Sequence, residues 1–435
     1  MPVLDTGPID NRDMPRTTRL TIRISNTGRL PAIAGIKAYF VNPAGDGFSN
    51  ETDYLVRLVS LNPAGQPGSV FTVDNVFANL DVFGVRVITS GQGGSDVAVA
   101  ISEHGADGQI IEEHVLTGEM AQIKERWFAY VSSEDDGLVT VINTRIPEVV
   151  STISLPGSIL RSMDVTPDGT RVYVANFNIP SSVFVIGTAT NTILANISMP
   201  FVNSQARAIA ITPDGSRAYV ADFGNDSVSV IDTTANVIFT TIPLPVTGDP
   251  IDVAITPDGS RAYVPFLGNP PGVAVIDIAT NMVLTTIPFP LNSDPVSVAI
   301  APNGLRAYVS NFSADSISVI DTTINSVIAN IPVLAGNNPS GLAITPGGSR
   351  IYAANAGANT VTVINTLTNT ILTEIPLPSR GREIAITPDG SRAFVSGTAS
   401  TQSVFVIDTA SNTMVAHLPA GSSPFGIAIT PILLF

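Results

Sequence analysis

ITPDGSRAYVADFGNDSVSVIDTTANVIFTTIPLP, residues 211–245, recurs with variation from Trp127 to the end of the chain. Aligned on its TP(D/N/G)G turn, the repeat places prolines at Pro167, Pro213, Pro257, Pro302, Pro346 and Pro388, with a turnless TP at Pro431. The steps are 46, 44, 45, 44, 42 and 43 residues. A fixed period of roughly 40 to 45 residues signals an array architecture. The internal pattern is strand: short β-branched runs, as in Ser227-Val228-Ser229-Val230, alternate with period two and are punctuated by Gly, Pro, Asn or Asp. Four strands fit, over 207–212, 216–221, 227–232 and 236–242. Four antiparallel strands repeated radially make a propeller blade.

The aromatic-valine pairs are Tyr130-Val131, Tyr173-Val174, Tyr219-Val220, Tyr263-Val264, Tyr308-Val309, Tyr352-Ala353 and Phe394-Val395. With Asn176, Asn311 and Asn355 two places after the second member, they resemble the YVTN family of seven-bladed β-propellers, related to archaeal and bacterial surface-layer proteins. Asp222 substitutes for that Asn, and Ser133, Phe266 and Gly397 depart from it. The resemblance implies an all-β, seven-bladed propeller over residues 127–435. It implies little about activity, because propellers host unrelated chemistries.

Closure follows from the ends of the array. It begins at Trp127-Phe128-Ala129-Tyr130-Val131, without an innermost strand, and finishes with Phe425-Gly426-Ile427-Ala428-Ile429-Thr430, an innermost strand without a blade. The two fragments complete one blade and leave no open seam.

Of 435 residues, 44% are hydrophobic and 13% charged, and 35 Gly with 33 Pro suit a turn-rich all-β chain. Net charge is −15. Nucleic acid and anionic membranes are recognised by Lys and Arg clusters, so neither is expected as a partner. The absence of cysteine excludes disulfides, thiolate catalysis and Fe–S clusters. The first twenty residues lack the apolar core of a secretory signal, and no segment reaches the ~18 apolar residues of a membrane span.

Residues 1–15 read as an extended arm and 16–123 as a β-sandwich of immunoglobulin-like type, with strands at 17–25, 35–41, 52–61, 69–75, 82–89, 96–102 and 110–117. Residues 118–126 read as a linker. Edge strands invite strand addition, so an arm carrying Val3, Leu4 and Ile9 is expected to insert into a neighbouring sandwich and drive self-association into a filament or layer.

The repeated polar residues read first as structure. In TPDG, Pro presets φ for the second turn position, Asp suits the third, and Gly accepts positive φ at Gly169, Gly215, Gly259, Gly304, Gly348 and Gly390. Arg171, Arg217, Arg261, Arg306, Arg350 and Arg392 hold one repeat position and are expected to bind the turn or a neighbouring blade. Residues that break the symmetry are the better functional candidates. Where the innermost strands enter the channel, the repeat reads Arg161, Arg207, Ile251, Val296, Ser340, Arg382 and Phe425, followed by Ser162, Ala208, Asp252, Ser297, Gly341, Glu383 and Gly426. Arg161, Arg207, Asp252, Arg382 and Glu383 therefore form a candidate mouth for an anion or carbohydrate, against the plainer reading of solvated ion pairs. Glu134-Asp135-Asp136 offers oxygens to Ca²⁺, or is simply a solvated loop; no other cofactor is expected.

Seven-bladed relatives that are enzymes depend on His clusters, metal-binding carboxylates or a His base. This propeller has one histidine, His417, and His104 with His114 lie outside it at no metal spacing. The reading is a non-catalytic structural or interaction protein at the cell or spore surface, not an enzyme, with protein or glycan partners. The alternative is a ligand-binding or lytic propeller, lactonase- or lyase-like, that uses the Arg-lined mouth.

Overall fold

The computed structural model describes residues 127–245, 248–397 and 403–430 in full and, before them, the backbone of nine strands. Contacts divide the chain into a unit ending at Arg126 and one beginning at Trp127. In the first unit, strands run at Arg19–Asn26, Ala32–Pro43, Ser49–Leu61, Val70–Phe77, Val82–Ser90, Val97–His104 and Ile110–Leu116. They fall into two sheets. Val3–Asp5 and Ile9–Asp10, in the stretch read as an arm, pair with Val82–Ser90 of their own chain. The side-chain packing that would make these sheets an immunoglobulin-like sandwich lies outside the described residues, as do the linker at 118–126 and the tail at 431–435.

The second unit is a seven-bladed propeller of four-stranded antiparallel sheets. Blade 1 consists of Phe128–Ser133, Leu138–Asn143 and Glu148–Ser154, with Pro424–Ile429 as its innermost strand. Blades 2 and 3 begin at Leu160–Val165 and Ala206–Ile211, and blades 4 to 7 at Ala254–Ile255, Pro295–Ile300, Pro339–Ile344 and Gly381–Ile386. The strands of blade 3, 206–211, 217–222, 227–232 and 237–243, fall within one residue of those read from the sequence.

Burial explains the composition of each strand. The middle two strands of a blade are covered on both faces by neighbouring blades, so Ala218 to Ala221 are all fully buried. Alternation in Ser227-Val228-Ser229-Val230 is therefore not between core and solvent, since Ser229 is 0% exposed. Only the outermost strand alternates with water, as Val237–Pro243 does. The core is a series of clusters between blades; one joins Tyr130, Val139 and Val141 of blade 1 to Leu160, Met163 and Val172 of blade 2.

The repeated polar residues lock each blade to the next. Tyr173 and Tyr263 donate their hydroxyls to Asn236 and Asn325, at 2.7 Å in both cases. Those asparagines turn the next blade in the left-handed region, at φ 53° and 50°. Arg171, Arg261, Arg306, Arg350 and Arg392 donate to Thr233, Thr322, Thr366, Thr409 and Thr144 carbonyls of the same turns. Arg217 departs from this, pairing with Asp232 of its own blade at 2.6 Å.

The six turn glycines all have positive φ, between 69° and 74°. Each from Gly215 onward sits against the turn proline of the preceding blade, closest at Gly390, where an added Cβ would lie 3.2 Å from Pro346 Cδ. Gly390→Val is expected to cost about 2 kcal/mol, since a β-branched residue is strained in the left-handed region. At Gly347 an added Cβ would meet nothing within 4 Å, and the residue stands where five turns carry Asp or Asn. Gly347→Asp is therefore expected to stabilise by about 0.5 kcal/mol, through lost chain freedom and a turn hydrogen bond. Urea denaturation of both variants checks the contrast, and a loss at Gly347→Asp would contradict the turn assignment.

Candidate functional site

One end of the channel is where the innermost strands begin. There Glu134, just after the second strand of blade 1, receives two arginines: Arg161 Nη2 lies 2.5 Å from Oε1, and Arg382 Nη1 2.6 Å from Oε2. Aromatic rings hold the guanidinium planes. Arg161 lies between Phe177 and Phe425, with its Cζ 4.7 and 4.6 Å from the ring centres. Arg382 covers Phe425 at 4.5 Å, and Arg207 lies 5.4 Å from Phe223. Phe177 and Phe223 touch at 5.7 Å. The result is a continuous arc, Arg382–Phe425–Arg161–Phe177–Phe223–Arg207, spanning blades 7, 1, 2 and 3. Cation–π contact in a desolvated setting contributes on the order of 1–2 kcal/mol per pair.

Hydroxyls clip the mouth backbone to the blade before it. Ser132 Oγ donates to Arg161 O at 2.5 Å, Ser340 Oγ to Arg382 O at 2.7 Å, and Ser396 Oγ to Phe425 O at 2.7 Å. Arg207 has none of these anchors. Among the described residues it is held by the Phe223 face and by the field of nearby carboxyl groups, with no carboxylate in hydrogen-bond contact.

Asp252 and Glu383 supply that field. Pro265, on the second strand of blade 4, has no N–H to offer its neighbour, and the innermost strand shrinks to Ala254–Ile255. Asp252, in the released stretch, accepts from Val253 N at 2.8 Å and from Val298 N of blade 5 at 2.9 Å. It thus caps channel-edge N–H groups on two blades. Glu383 owes its position to Gly341, where an added Cβ would lie 2.7 Å from Glu383 Oε2.

These groups are half-buried, open to the channel and otherwise walled by protein, which makes charge expensive. Burial, with repulsion from Asp252, pushes Glu383 up to about 8 despite Arg207 and Arg382. Burial likewise raises Asp252, against its backbone hydrogen bonds and Arg207. Arg161 is lowered to about 10 by burial and by the neighbouring Arg207 and Arg382. Burial and Arg382 also lower Arg207. Two carboxyl groups with raised pKa values and a cation thus act on one another at the channel mouth.

Arg161, Arg207, Asp252, Arg382 and Glu383 are brought together. The Glu134-Asp135-Asp136 loop is not gathered for Ca²⁺. Both Glu134 oxygens are taken by arginines, while Asp136 turns away to accept from Ser422 N at 2.7 Å. Among the described residues no group of three or more His, Asp or Glu side chains is placed to hold a metal, and no helix is long and apolar enough to cross a membrane. His417 is exposed on the outermost strand of blade 7.

Asp164 was not singled out from the sequence. It holds a repeat position that reads Ala210, Ala254, Ala299, Ala343, Ala385 and Ala428 in the other blades. That column of alanines was the available signal. Its carboxylate accepts from Val165 N and from Ile211 N of blade 3, both at 2.8 Å, and burial pushes it up to about 6. Three residues beyond Arg161, it lies about 10 Å deeper along the strand. At the opposite end, a groove of about 210 Å³ runs between the blade 2 and 3 turns, beside Asp168, Arg171, Asp214 and Thr233. Asp168, Asp214 and Thr233 are engaged within the turns, so the groove is a seam between blades.

No family model matches the chain, so the YVTN assignment goes no further than resemblance. No curated protein matches either. Solved structures do match in fold. The periplasmic gluconolactonase PpgL of Pseudomonas aeruginosa is 16% identical, with a TM-score of 0.61 over 71% of this chain and 99% of that one. A functionally unknown protein from Desulfotomaculum acetoxidans is 19% identical, with a TM-score of 0.60 over 70% and 98%. Hydrazine synthase of Kuenenia stuttgartiensis is 23% identical, with a TM-score of 0.56 over 64% and 91%. At these identities the likeness shows the seven-bladed fold alone.

That finding corrects the expectation that the chain is not an enzyme. The propeller is shared with a gluconolactonase and a hydrazine synthase. The expectation rested on scarce histidine, and carboxyl groups with raised pKa values supply acid–base chemistry without it.

Proposed function

We propose that the protein binds a small lactone or hydroxy-carboxylate at the arginine-lined mouth and acts on it in the manner of a lactonase or lyase. One observation carries the reading: Arg207 is free of hydrogen-bonded carboxylate partners among the described residues, in the field of two carboxyl groups, Asp252 and Glu383, whose pKa values burial raises. Perturbed groups of this kind mark sites of chemistry. The same-fold gluconolactonase supports the choice of a lactone.

In lactone hydrolysis, ionised Glu383 takes a proton from water as the water oxygen attacks the ring carbonyl. The oxyanion that forms faces Arg207. Collapse breaks the ring C–O bond, and Glu383 returns its proton to the alkoxide, leaving a hydroxy acid. Arg161 and Arg382, tied to Glu134, hold the wall and its positive potential.

Arg207→Ala is expected to lower kcat/KM for lactone hydrolysis roughly 10²- to 10³-fold, the usual effect of removing one oxyanion donor. Arg217→Ala, at the opposite end, should leave it unchanged. Titrimetric assay of aldonolactones and of simple γ-lactones, and calorimetry with the matching hydroxy acids, make the test. Equal activity in both variants, or neither binding nor turnover by the unaltered protein, would refute the reading.

A further inference from the structure

The mouth is chemically divided. Blades 7, 1, 2 and 3 carry the arginine–aromatic arc. In blades 4 and 5 the entry positions are instead Ile251 and Val296. The residue after the second strand, which in blades 2 and 3 is the Phe177 or Phe223 that carries an arginine, becomes Leu267 and Phe312. Ile251 is 5% exposed, while Leu267, Val296 and Phe312 are half-buried. The loop leading into blade 5 adds Leu291, 65% exposed. Among the described residues no guanidinium stacks on Phe312, so this side of the mouth offers apolar surface beside a cationic one. A polyhydroxylated ligand would leave that surface wet and lose hydroxyl hydrogen bonds against it.

We propose that the ligand is amphipathic: a lactone or carboxylate head bearing an alkyl chain, the head against Arg207 and the chain against Leu267, Val296 and Phe312. Charge complementarity fixes the orientation, because a carboxylate or developing oxyanion is attracted to the arginine arc and the uncharged chain is left to blades 4 and 5. This inference rests on the site reading above and goes beyond it in naming the substrate class.

A homologous series of γ-lactones, from butyrolactone to decalactone, tests the inference on the full chain. kcat/KM is read for hydrolysis, and the matching straight-chain alkanoates are read as competitors. Burial of each methylene is expected to raise kcat/KM and affinity about threefold to fourfold until the wall is filled. Phe312→Ser and Val296→Ser should flatten that rise. The chain-length dependence needs no variant, so a misfolded substitution does not remove the test. If short lactones and alkanoates are handled but the series is flat or falling, the amphipathic assignment is wrong and the site reading stands. A rise that both variants leave intact also overturns it, since the chain would then lie elsewhere. If no member of the series binds or reacts, and hydroxy acids do not bind, both readings fall.

Discussion

A chain ending at Ser423 is expected to lose its cooperative unfolding transition altogether. Pro424–Ile429 is the innermost strand of blade 1, paired through Ala129↔Ile429, Tyr130↔Ala428 and Val131↔Ile427. Phe128 and Thr430 exchange hydrogen bonds of 2.8 and 2.9 Å. Without the strand, those N–H and C=O groups face the channel unpaired, and blades 7 and 2 lose a neighbour on the inner side. Phe425, which carries both Arg161 and Arg382, goes with it. Burial of Phe425, Ile427 and Ile429 alone contributes on the order of 5 kcal/mol, comparable to the whole stability of many domains. Moving residues 424–430 ahead of Trp127 through a Pro-Asp-Gly linker, with Trp127 as the fourth residue of the turn, should restore folding. That turn would join Thr430 to Phe128 as Thr212 is joined to Arg217 in blade 3. Urea denaturation followed by tryptophan fluorescence at Trp127 and by circular dichroism reads both changes. A truncated protein with a transition near that of the full chain would show that the ring does not depend on its clasp.

The ring was legible in the sequence because its determinants are local and repeated. A proline and a glycine, with an acid between them in four of the six turns, set each turn within four residues. Closure was legible because an incomplete blade at each end leaves a single way to pair them. Burial was less legible: Ser229 looks solvent-facing in its alternating run and is enclosed, because period two separates faces without saying whether either meets water. The Tyr–Asn latches join residues about sixty apart in the chain, as Tyr173 and Asn236 are, so no local reading reaches them.

The mouth was partly legible. Residues that broke the repeat column at the strand entry, Arg161, Arg207 and Arg382, were visible as exceptions. Glu134 was not, since its partners lie 27 and 248 residues further along. Three consecutive acids look like a solvated loop or a cation site until the ring closes and brings two arginines to the first of them. Asp164 needed only the comparison of one more column, where a carboxylate replaces alanine. The raised pKa values were out of reach, because they come from enclosure by seven blades rather than from any neighbour in sequence.

Glu383→Gln is expected to abolish most turnover and, above pH 8, to make the protein more stable. As the proton acceptor, the carboxylate is worth roughly 10²- to 10⁴-fold in rate, and a neutral amide cannot replace it. Stability moves the other way. Burial and Asp252 push the folded carboxyl up to about 8 from a reference value of 4.5, so between those limits the folded protein holds a proton that the unfolded chain releases. Stability from this group is therefore full below about pH 4.5 and lost as pH rises through 8. Gln carries no such penalty, and it also relieves Asp252 of a like charge. The variant should match the parent near pH 4.5 and exceed it at pH 9 by on the order of 2 kcal/mol, discounted from roughly 1.4 kcal/mol per unit for water in the channel. A smaller slope between pH 4 and 6 should persist in both proteins, because Asp164 is raised to about 6 in the same sense. Urea denaturation at pH 4.5, 7 and 9, run beside the lactone assay, separates the two effects. A variant that keeps its activity removes Glu383 from the chemistry, and one no more stable than its parent at pH 9 shows that the carboxyl is not strained by its enclosure.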